Sequence, residues 1–499
     1  MNRIHLIGPL VLLAGLSSGA APVRADPTTS AADSMFIDFA SLDDFLSEEM
    51  AAQQIPGLAV GVVEGQQIVH VRGFGAADAG GRAVNPDTPF VLASTSKELT
   101  ALAAMQLVEL RKLDLDAAVR SYLPWFATAD RELSDRITVR QLLNQTSGLS
   151  TLTGRLEHTS DDREPGALER AVRRLDTQPL LSQQGDTFHY SNANYMVLGL
   201  LVQTVSDQRF DAYMREHVFV PLDMRHTFTD PTDAQSDGLA TGYYQWFNVM
   251  PLSTQVPFSD ARVPAEAIMS SAEDLAHVVV MHLNGGRYAE NQLVSSAGLN
   301  SLHTGVARVP WGPGLYAMGW FAGPLAADLD ADQATNQFTV PLVLDHTGEA
   351  PNYHSVIALL PGLQRGAVLV MNTDRPTSSR FARLQVGIEQ LLAGSSLWAP
   401  HRFTDDPLTR FGRTAYVTAL IGELVWILVW GWNARRRRHE SGPRRRRTSQ
   451  IATVLGFVLL VGGVYFLWFV IPSMNDITPD ALFRVWAPDL GLTGLVLTE

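Results

Sequence analysis

Apolar and polar positions change period several times along this chain, and the changes divide it. An unbroken apolar run, Leu6 to Leu16, follows Arg3 and His5, with small residues up to Ala25. This is the pattern of a secretory signal peptide over 1–25, cleaved after Ala25, and the run is too short to span a bilayer. A helical period follows over 36–53. Gly57 to Val63 and Ile68 to Gly75 then predict a β-hairpin turning at Glu64-Gly65. The segment opened by Ser94 is apolar almost all round from Leu99 to Leu110 and has no Pro or Gly, as expected of a helix buried on every side. From Leu113 to about Thr229 the pattern is mostly helical. Gln337 to Asp345, Ser355 to Leu360 and Ala367 to Met371 read as three strands, with Pro361-Gly362 opening a turn, and Phe381 to Leu392 reads as a closing helix. The expected fold class is therefore α+β over 36–395: one antiparallel sheet built from both ends of this domain, flanked by the terminal helices, with a helical subdomain inserted.

Two further apolar stretches, 415–432 and 451–471, have the length of transmembrane helices. The loop between them, 433–450, carries eight arginines and one glutamate, and short loops this basic stay in the cytoplasm. Signal peptide and loop agree on orientation: a body on the outer side of the cytoplasmic membrane, periplasmic or at the cell surface. The tail 472–499 is moderately apolar and leaves an incomplete third span open. Glu423, inside the first span, reads as a helix-packing contact.

Charge and composition narrow the chemistry. The net charge is −13, and since the basic loop contributes +7, the remaining chain carries −20, a poor nucleic-acid binder. The expected partners are a small-molecule or peptide substrate and the lipid bilayer, with no nucleic acid, and the oligomeric state stays open. There is no cysteine, so disulfides and thiol chemistry are excluded, metal chemistry is disfavoured and no cofactor is expected.

Among 38 basic residues only two are lysines, and one of them, Lys97, follows Ser94 by three positions in Ser94-Thr95-Ser96-Lys97. An amine can lose its proton near neutral pH when desolvated, whereas a guanidinium cannot. On a helix the i,i+3 spacing puts the Lys97 amine within reach of the Ser94 hydroxyl. An isolated S-x-x-K is usually a solvated lysine in a serine-rich turn. Here it is followed by Phe188-His189-Tyr190-Ser191-Asn192 and by Asp345-His346-Thr347-Gly348.

In this order and with these intervals, the three motifs resemble those of the serine β-lactamase and penicillin-binding-protein superfamily, in particular its class-C-like branch of esterases, D-peptidases and β-lactamase-related proteins. Lys112 to Asp116, Thr138 to Leu143 and Thr146-Ser147-Gly148-Leu149 are also similar. The resemblance implies a β-lactamase/transpeptidase-like fold with Ser94 as the acylated nucleophile, Lys97 as its base and Tyr190 as the proton relay, its ionised form favoured beside the ammonium. It implies that Asn192 orients Lys97 and the substrate, and that His346, Thr347 and Gly348 line the cleft on an edge strand. The backbone N–H groups of Ser94 and Glu349 would form the oxyanion hole. A second His-Thr-Gly, His303 to Gly305, reads as a decoy. Many members place a lysine where this chain has His346, to bind a substrate carboxylate. Its replacement points to an ester, an amide, or a peptide presenting a free amine, with Arg365 and Arg375 the remaining cations in reach. Signal peptide, hydrolase domain and terminal spans together are also similar to the D-peptidases of colibactin-maturation type, in which a segment like Asn352 to Ser355 lies near the substrate's D-residue. β-lactamase, D,D-carboxypeptidase and a penicillin-binding sensor that acylates without turnover remain the alternatives.

Overall fold

Both ends of the body contribute strands to one sheet. The computed structural model describes residues 37–394 apart from 184, 186, 247–249, 311, 313, 326–341 and 375–379, together with a few isolated positions beyond 394. α1 (Phe39–Gln53) leads into β1 (Gly57–Glu64) and β2 (Gln67–Gly75), which turn through Gly65 at a φ of 61°. α2 (Ser96–Glu109) carries Lys97, and α3 (Asn192–Ser206) and α4 (Ala272–Leu283) are the other long helices of the middle. The sheet is completed by β3 (Ala307–Arg308), β4 (Leu315–Tyr316), β5 (Phe321–Pro324), β6 (Leu342–Ala350), β7 (Tyr353–Leu360) and β8 (Arg365–Met371), and α5 (Arg380–Leu392) closes the body. The eight strands run in the order β2-β1-β8-β7-β6-β5-β4-β3, and all neighbours are antiparallel.

Alternation in the central strands builds two cores. Leu58, Val60 and Val62 of β1 join Val356, Ala358 and Leu369 against α1 and α5, with Leu42, Leu46, Leu384 and Ile388. Ala59 and Val63, with Ile357, Leu359, Val368 and Val370, face the helical side and pack with α2, α3 and α4. Because both faces are covered, these strands read as continuous apolar runs, and each fully buried Val or Leu contributes ~1.5–3 kcal/mol.

The sheet is wider than the pattern predicts. Three short strands between 307 and 324 extend it beyond β6, so β6 is not an edge strand along its whole length. The ladder between β5 and β6 ends at Asp345, however, which leaves the half from His346 to Ala350 paired only to β7. The open edge is therefore confined to the expected segment. Positions 337–341 of the predicted strand, the signal peptide and the two spans lie outside the described residues, save isolated positions such as Ile421, Val425 and Leu428, which are exposed. Among the described residues no helix is long and apolar enough to cross a membrane.

Candidate active site

Ser94 sits in a tight turn of 3₁₀ helix, Ala93–Thr95, that runs straight into α2. The residue before it, Ala93, holds a φ of 47°, a left-handed conformation that costs an alanine about 1–2 kcal/mol. Packing and hydrogen bonds keep it there. The Leu92 carbonyl accepts from Thr95 Oγ1 at 2.8 Å and from Ser355 Oγ of β7 at 2.6 Å, and the Leu92 N–H donates to the Ile268 carbonyl at 2.9 Å. Ser94 itself is only partly buried, so its hydroxyl remains reachable.

One turn on, α2 is fastened to the segment 263–268. Thr100 Oγ1 donates to the Pro264 carbonyl at 2.7 Å, Ser96 Oγ accepts from the Ile268 N–H at 3.1 Å, and Lys97 Nζ donates to the Ala265 carbonyl at 2.8 Å. The same Nζ lies 2.9 Å from Ser94 Oγ, and the Lys97 side chain is fully buried. Burial pushes the ammonium down to about 7, with the negative charge of Glu266 opposing.

Glu266 is the centre of a buried network that the sequence gives little reason to expect. It accepts from Arg262 Nε at 2.7 Å, from Asn192 Nδ2 at 2.6 Å and lies 3.0 Å from His158 Nε2. Burial alone would raise its carboxyl, but His158, Arg262 and Lys97 hold it well below the ordinary carboxylate value. The only sequence signal is a lone carboxylate within the apolar stretch Val263 to Met269. Asn192, expected to orient Lys97, donates instead to Glu266, and its connection to the lysine runs through that charge. Its Oδ1 is buried and has no hydrogen-bond partner among the described residues.

Tyr190 stands just before α3, held by its carbonyl, which accepts from Thr151 Oγ1 at 2.7 Å, while Gln145 Oε1 accepts from the Ser191 N–H at 2.9 Å. Lys97 Nζ lies 4.8 Å from the centre of its ring. Burial and then Tyr316 push the phenol well above 10, and a hydrogen bond with Ser94 pulls the other way. Desolvation thus acts against the phenolate expected beside the ammonium.

His346 faces the same centre. Its ring lies 6.2 Å from that of Tyr190 and 5.1 Å from that of Phe321. Burial and the charge of Lys97 push the imidazole down to about 3. Its Nδ1 lies 2.7 Å from the Thr347 carbonyl, which can only accept, so Nδ1 carries the proton and the buried, unpartnered Nε2 is an acceptor. Thr347 is half-buried. Gly348 lies so close to the Ser94 turn that a Cβ there would meet the Leu92 carbonyl oxygen at 2.0 Å and Ser355 Oγ at 2.3 Å. Only glycine lets β6 bring the backbone of Glu349 alongside that turn.

Next to this centre lies a cavity of about 530 Å³ whose lining includes Val91, Met269, Glu266, Glu349 and Asn352. Asn352 is buried and its Nδ2 donates to the Thr254 carbonyl at 2.9 Å, so it ties the cavity wall. Arg365 binds Glu64 at 2.9 Å at the other end of the sheet and does not reach Ser94, and Arg375 lies outside the described residues. The second His-Thr-Gly is apart from the site: His303 ends the helix Ser296–His303 and lies 2.9 Å from His282 Nδ1.

The sequence model of the β-lactamase family matches residues 42–391, more than two thirds of the chain. The chain belongs to the β-lactamase family. Among curated proteins it is 29% identical over 338 residues to Protein flp of Staphylococcus aureus strain MW2, covering 67% of this chain and 63% of that protein. It is also 29% identical over 335 residues to Penicillin-binding protein 4 of Amycolatopsis lactamdurans, covering 65% and 82%. The chain thus spans less than two thirds of the length of the flp relatives. Solved structures of the same fold include the octameric penicillin-binding protein homologue of Pyrococcus abyssi, with a TM-score of 0.60, 22% identity and coverage of 72% and 78%. The D-alanine carboxypeptidase AmpC of Burkholderia cenocepacia has a TM-score of 0.57, 23% identity and coverage of 72% and 99%. The fold of this family member is accordingly β-lactamase-like, and Ser94, Lys97, Tyr190 and His346 come together in it from three separate segments.

Proposed function

We propose that this family member is a serine hydrolase that works through a Ser94 acyl-enzyme on a D-amino-acid-containing peptide or amide, or on a small ester. One observation carries the reading: the fully buried amine of Lys97, which that burial pushes down to about 7, lies 2.9 Å from Ser94 Oγ. Neutral Lys97 takes the Ser94 proton as Oγ bonds to the substrate's carbonyl carbon, and the backbone N–H groups of Ser94 and Glu349 hold the oxygen that becomes negative. The tetrahedral intermediate then expels its leaving group, which receives a proton through Tyr190. Water cleaves the acyl-enzyme by the same route in reverse, with Lys97 and Tyr190 passing the proton. Asn192, Asn352 and the strand from His346 to Gly348 would contact substrate. Preference for an uncharged or amine-bearing substrate is supported by His346, a neutral acceptor where many relatives carry an ammonium.

We further propose that the reaction lies on the outer face of the cytoplasmic membrane, a reading supported by the apolar runs 6–16, 415–432 and 451–471 and the basic loop 433–450. The test is labelling of the full-length protein in detergent with a fluorescent phosphonate and a fluorescent penicillin, beside Ser94→Ala, followed by turnover of p-nitrophenyl acetate and D-alanine p-nitroanilide. Ser94-dependent labelling with turnover is expected. Stable penicillin labelling without turnover of either substrate would replace this reading with that of a penicillin-binding sensor.

A further inference from the structure

Three short strands widen the sheet beyond β6, and the middle one, β4, brings Tyr316 to the aromatic side of the active site. Tyr316 is fully buried. The ladders on either side fix its backbone, opposite Ala307 of β3 and Phe321 of β5. Its ring stands nearly at right angles to that of Tyr190, with centres 6.3 Å apart and planes at 87°, and to that of His346, at 6.1 Å and 80°. Phe188 at 5.4 Å and Phe321 at 4.9 Å complete the cluster. Edge-to-face contacts of this kind have a preferred geometry, so they set an angle as well as a distance. The Tyr316 hydroxyl lies beside Tyr195 and Gln145, and the Tyr195 hydroxyl donates to the Leu143 carbonyl at 3.0 Å.

Tyr190 depends on such a support. Among the described residues the one hydrogen-bond partner of its phenol is Ser94, which is itself the reacting group. The rest of its hold is a wall of rings, Phe188 at 6.5 Å, Tyr316 and His346 at 6.2 Å, with Lys97 Nζ 4.8 Å from its centre. Tyr316 touches both Phe188 and His346 as well, so it ties that wall together. It also acts on the phenol in the same direction as burial, raising it. A proton donor works only within hydrogen-bond reach of the atom it serves, and a small misplacement is costly. Resting on the hydrolase reading above, in which the leaving group takes its proton through Tyr190, we propose that Tyr316 is a positioning residue of the reaction: its ring, and not its hydroxyl, holds the Tyr190 phenol where the leaving group departs.

The experiment measures kcat/KM, which reads acylation, of the full-length protein in detergent on p-nitrophenyl, phenyl and ethyl acetate. The acyl group is the same in all three, and the leaving group grows more basic along the series, so its need for a proton from Tyr190 grows too. Rates are taken per Ser94 titrated by a fluorescent phosphonate, so that protein which fails to fold drops out, and Tyr316→Met is run beside Tyr316→Leu. Tyr190→Phe, which removes the donor, should lose ~10²-fold more on ethyl than on p-nitrophenyl acetate. Tyr316→Leu and Tyr316→Met should lose ~10-fold more on ethyl than on p-nitrophenyl acetate, whereas Tyr316→Phe, which keeps the ring, should stay within about threefold of the parent on every ester. Tyr316→Leu added to Tyr190→Phe should leave the dependence on the leaving group as it is in Tyr190→Phe alone, because the ring acts through the phenol. Equal losses on the three esters in Tyr316→Leu, or a further steepening in the double variant, overturn the positioning role. So does a Tyr316→Phe as impaired as Tyr316→Leu, which would make the hydroxyl the acting group. In each of these cases a steep Tyr190→Phe leaves the hydrolase reading standing. A Tyr190→Phe without dependence on the leaving group removes the proton route of that reading and the positioning role with it, and absence of all Ser94-dependent labelling and turnover removes the hydrolase itself.

Discussion

Lys97 and Glu98 are consecutive residues of α2, and both are buried to within 1% exposure, yet their surroundings differ. Lys97 has Ser94 Oγ and the Ala265 carbonyl as partners and the Glu266 charge nearby, and it comes to rest at about 7. Glu98 has burial and little else. Neither carboxyl oxygen has a hydrogen-bond partner among the described residues, and the group is pushed well above 4.5. His282 Nε2 lies 3.6 Å from Glu98 Oε2, but burial holds that imidazole well below 6.5, so the two form a neutral contact rather than an ion pair. Burial alone locks a titratable group in its neutral form. Burial opposed by one fixed charge leaves it poised to exchange a proton, which is what a base needs.

The largest effect should come from removing the poised member. Lys97→Ala is expected to lower kcat/KM on p-nitrophenyl acetate by ~10³-fold, the usual weight of a positioned base. Lys97→Arg should do no better, since a guanidinium keeps its proton. In the parent, kcat/KM should rise with pH to half its maximum near 7, because only the neutral amine accepts the Ser94 proton. A pH-independent rate between 5 and 9 would contradict this assignment.

Next in size is a change that disturbs geometry and leaves every charge in place. In Gly348→Ala the new Cβ would meet the Leu92 carbonyl oxygen at 2.0 Å, and that atom is backbone. Either β6 or the Ser94 turn must shift, and a displacement of this order is expected to cost ~10²-fold in kcat/KM. The pH at half-maximal rate should not move. If it does, Gly348 affects the titration of Lys97 and not only the spacing of two backbones.

Glu266→Gln tests the opposing charge directly. Arg262 and His158 lose their counter-charge, and breaking a buried pair in this way costs about 3–5 kcal/mol, read as a lower midpoint of denaturant unfolding. Because Glu266 raises Lys97, its removal should move the half-maximal pH of kcat/KM below 7 while the plateau changes much less than in Lys97→Ala. An unchanged profile would mean that Glu266 serves only Arg262 and His158.

These differences also explain what was legible beforehand. Ser94, Lys97, Tyr190 and His346 stand in short motifs, because each chemistry admits few residue types at a fixed spacing, and the central strands show as apolar runs because both faces are covered. The segments at 307, 315 and 321 are two to four residues long, too short for a period to show. Glu266 was hidden because its partners come from 158, 192 and 262, a proximity that exists only after folding. The desolvation of Tyr190 is hidden for a similar reason: its neighbour Lys97 stands in a motif, whereas the burial that raises the phenol comes only with folding.

The smallest effect on activity is expected on the other side of α2. Glu98→Gln replaces a carboxylic acid, already neutral in the folded protein, by a neutral group of the same shape whose amide can donate to His282 Nε2. Turnover should stay within about twofold of the parent, and the half-maximal pH should not move. Stability should change in a pH-dependent way. Above its ordinary value of 4.5 the Glu98 carboxyl ionises in the unfolded chain but not in the folded one, so the unfolded state binds fewer protons and the parent loses stability as pH rises. Glutamine has no such proton. The melting temperature of Glu98→Gln should therefore gain on the parent from pH 5 towards pH 8, by ~2 °C per pH unit for a domain of this size. His282 and His303, both held down by burial, act with the opposite sign: the unfolded chain takes up their protons as pH falls through 6.5, and this acid loss is common to parent and variant. A difference in melting temperature that is flat between pH 5 and 8 would mean that Glu98 ionises in the folded state, and the contrast between the two neighbours would fail.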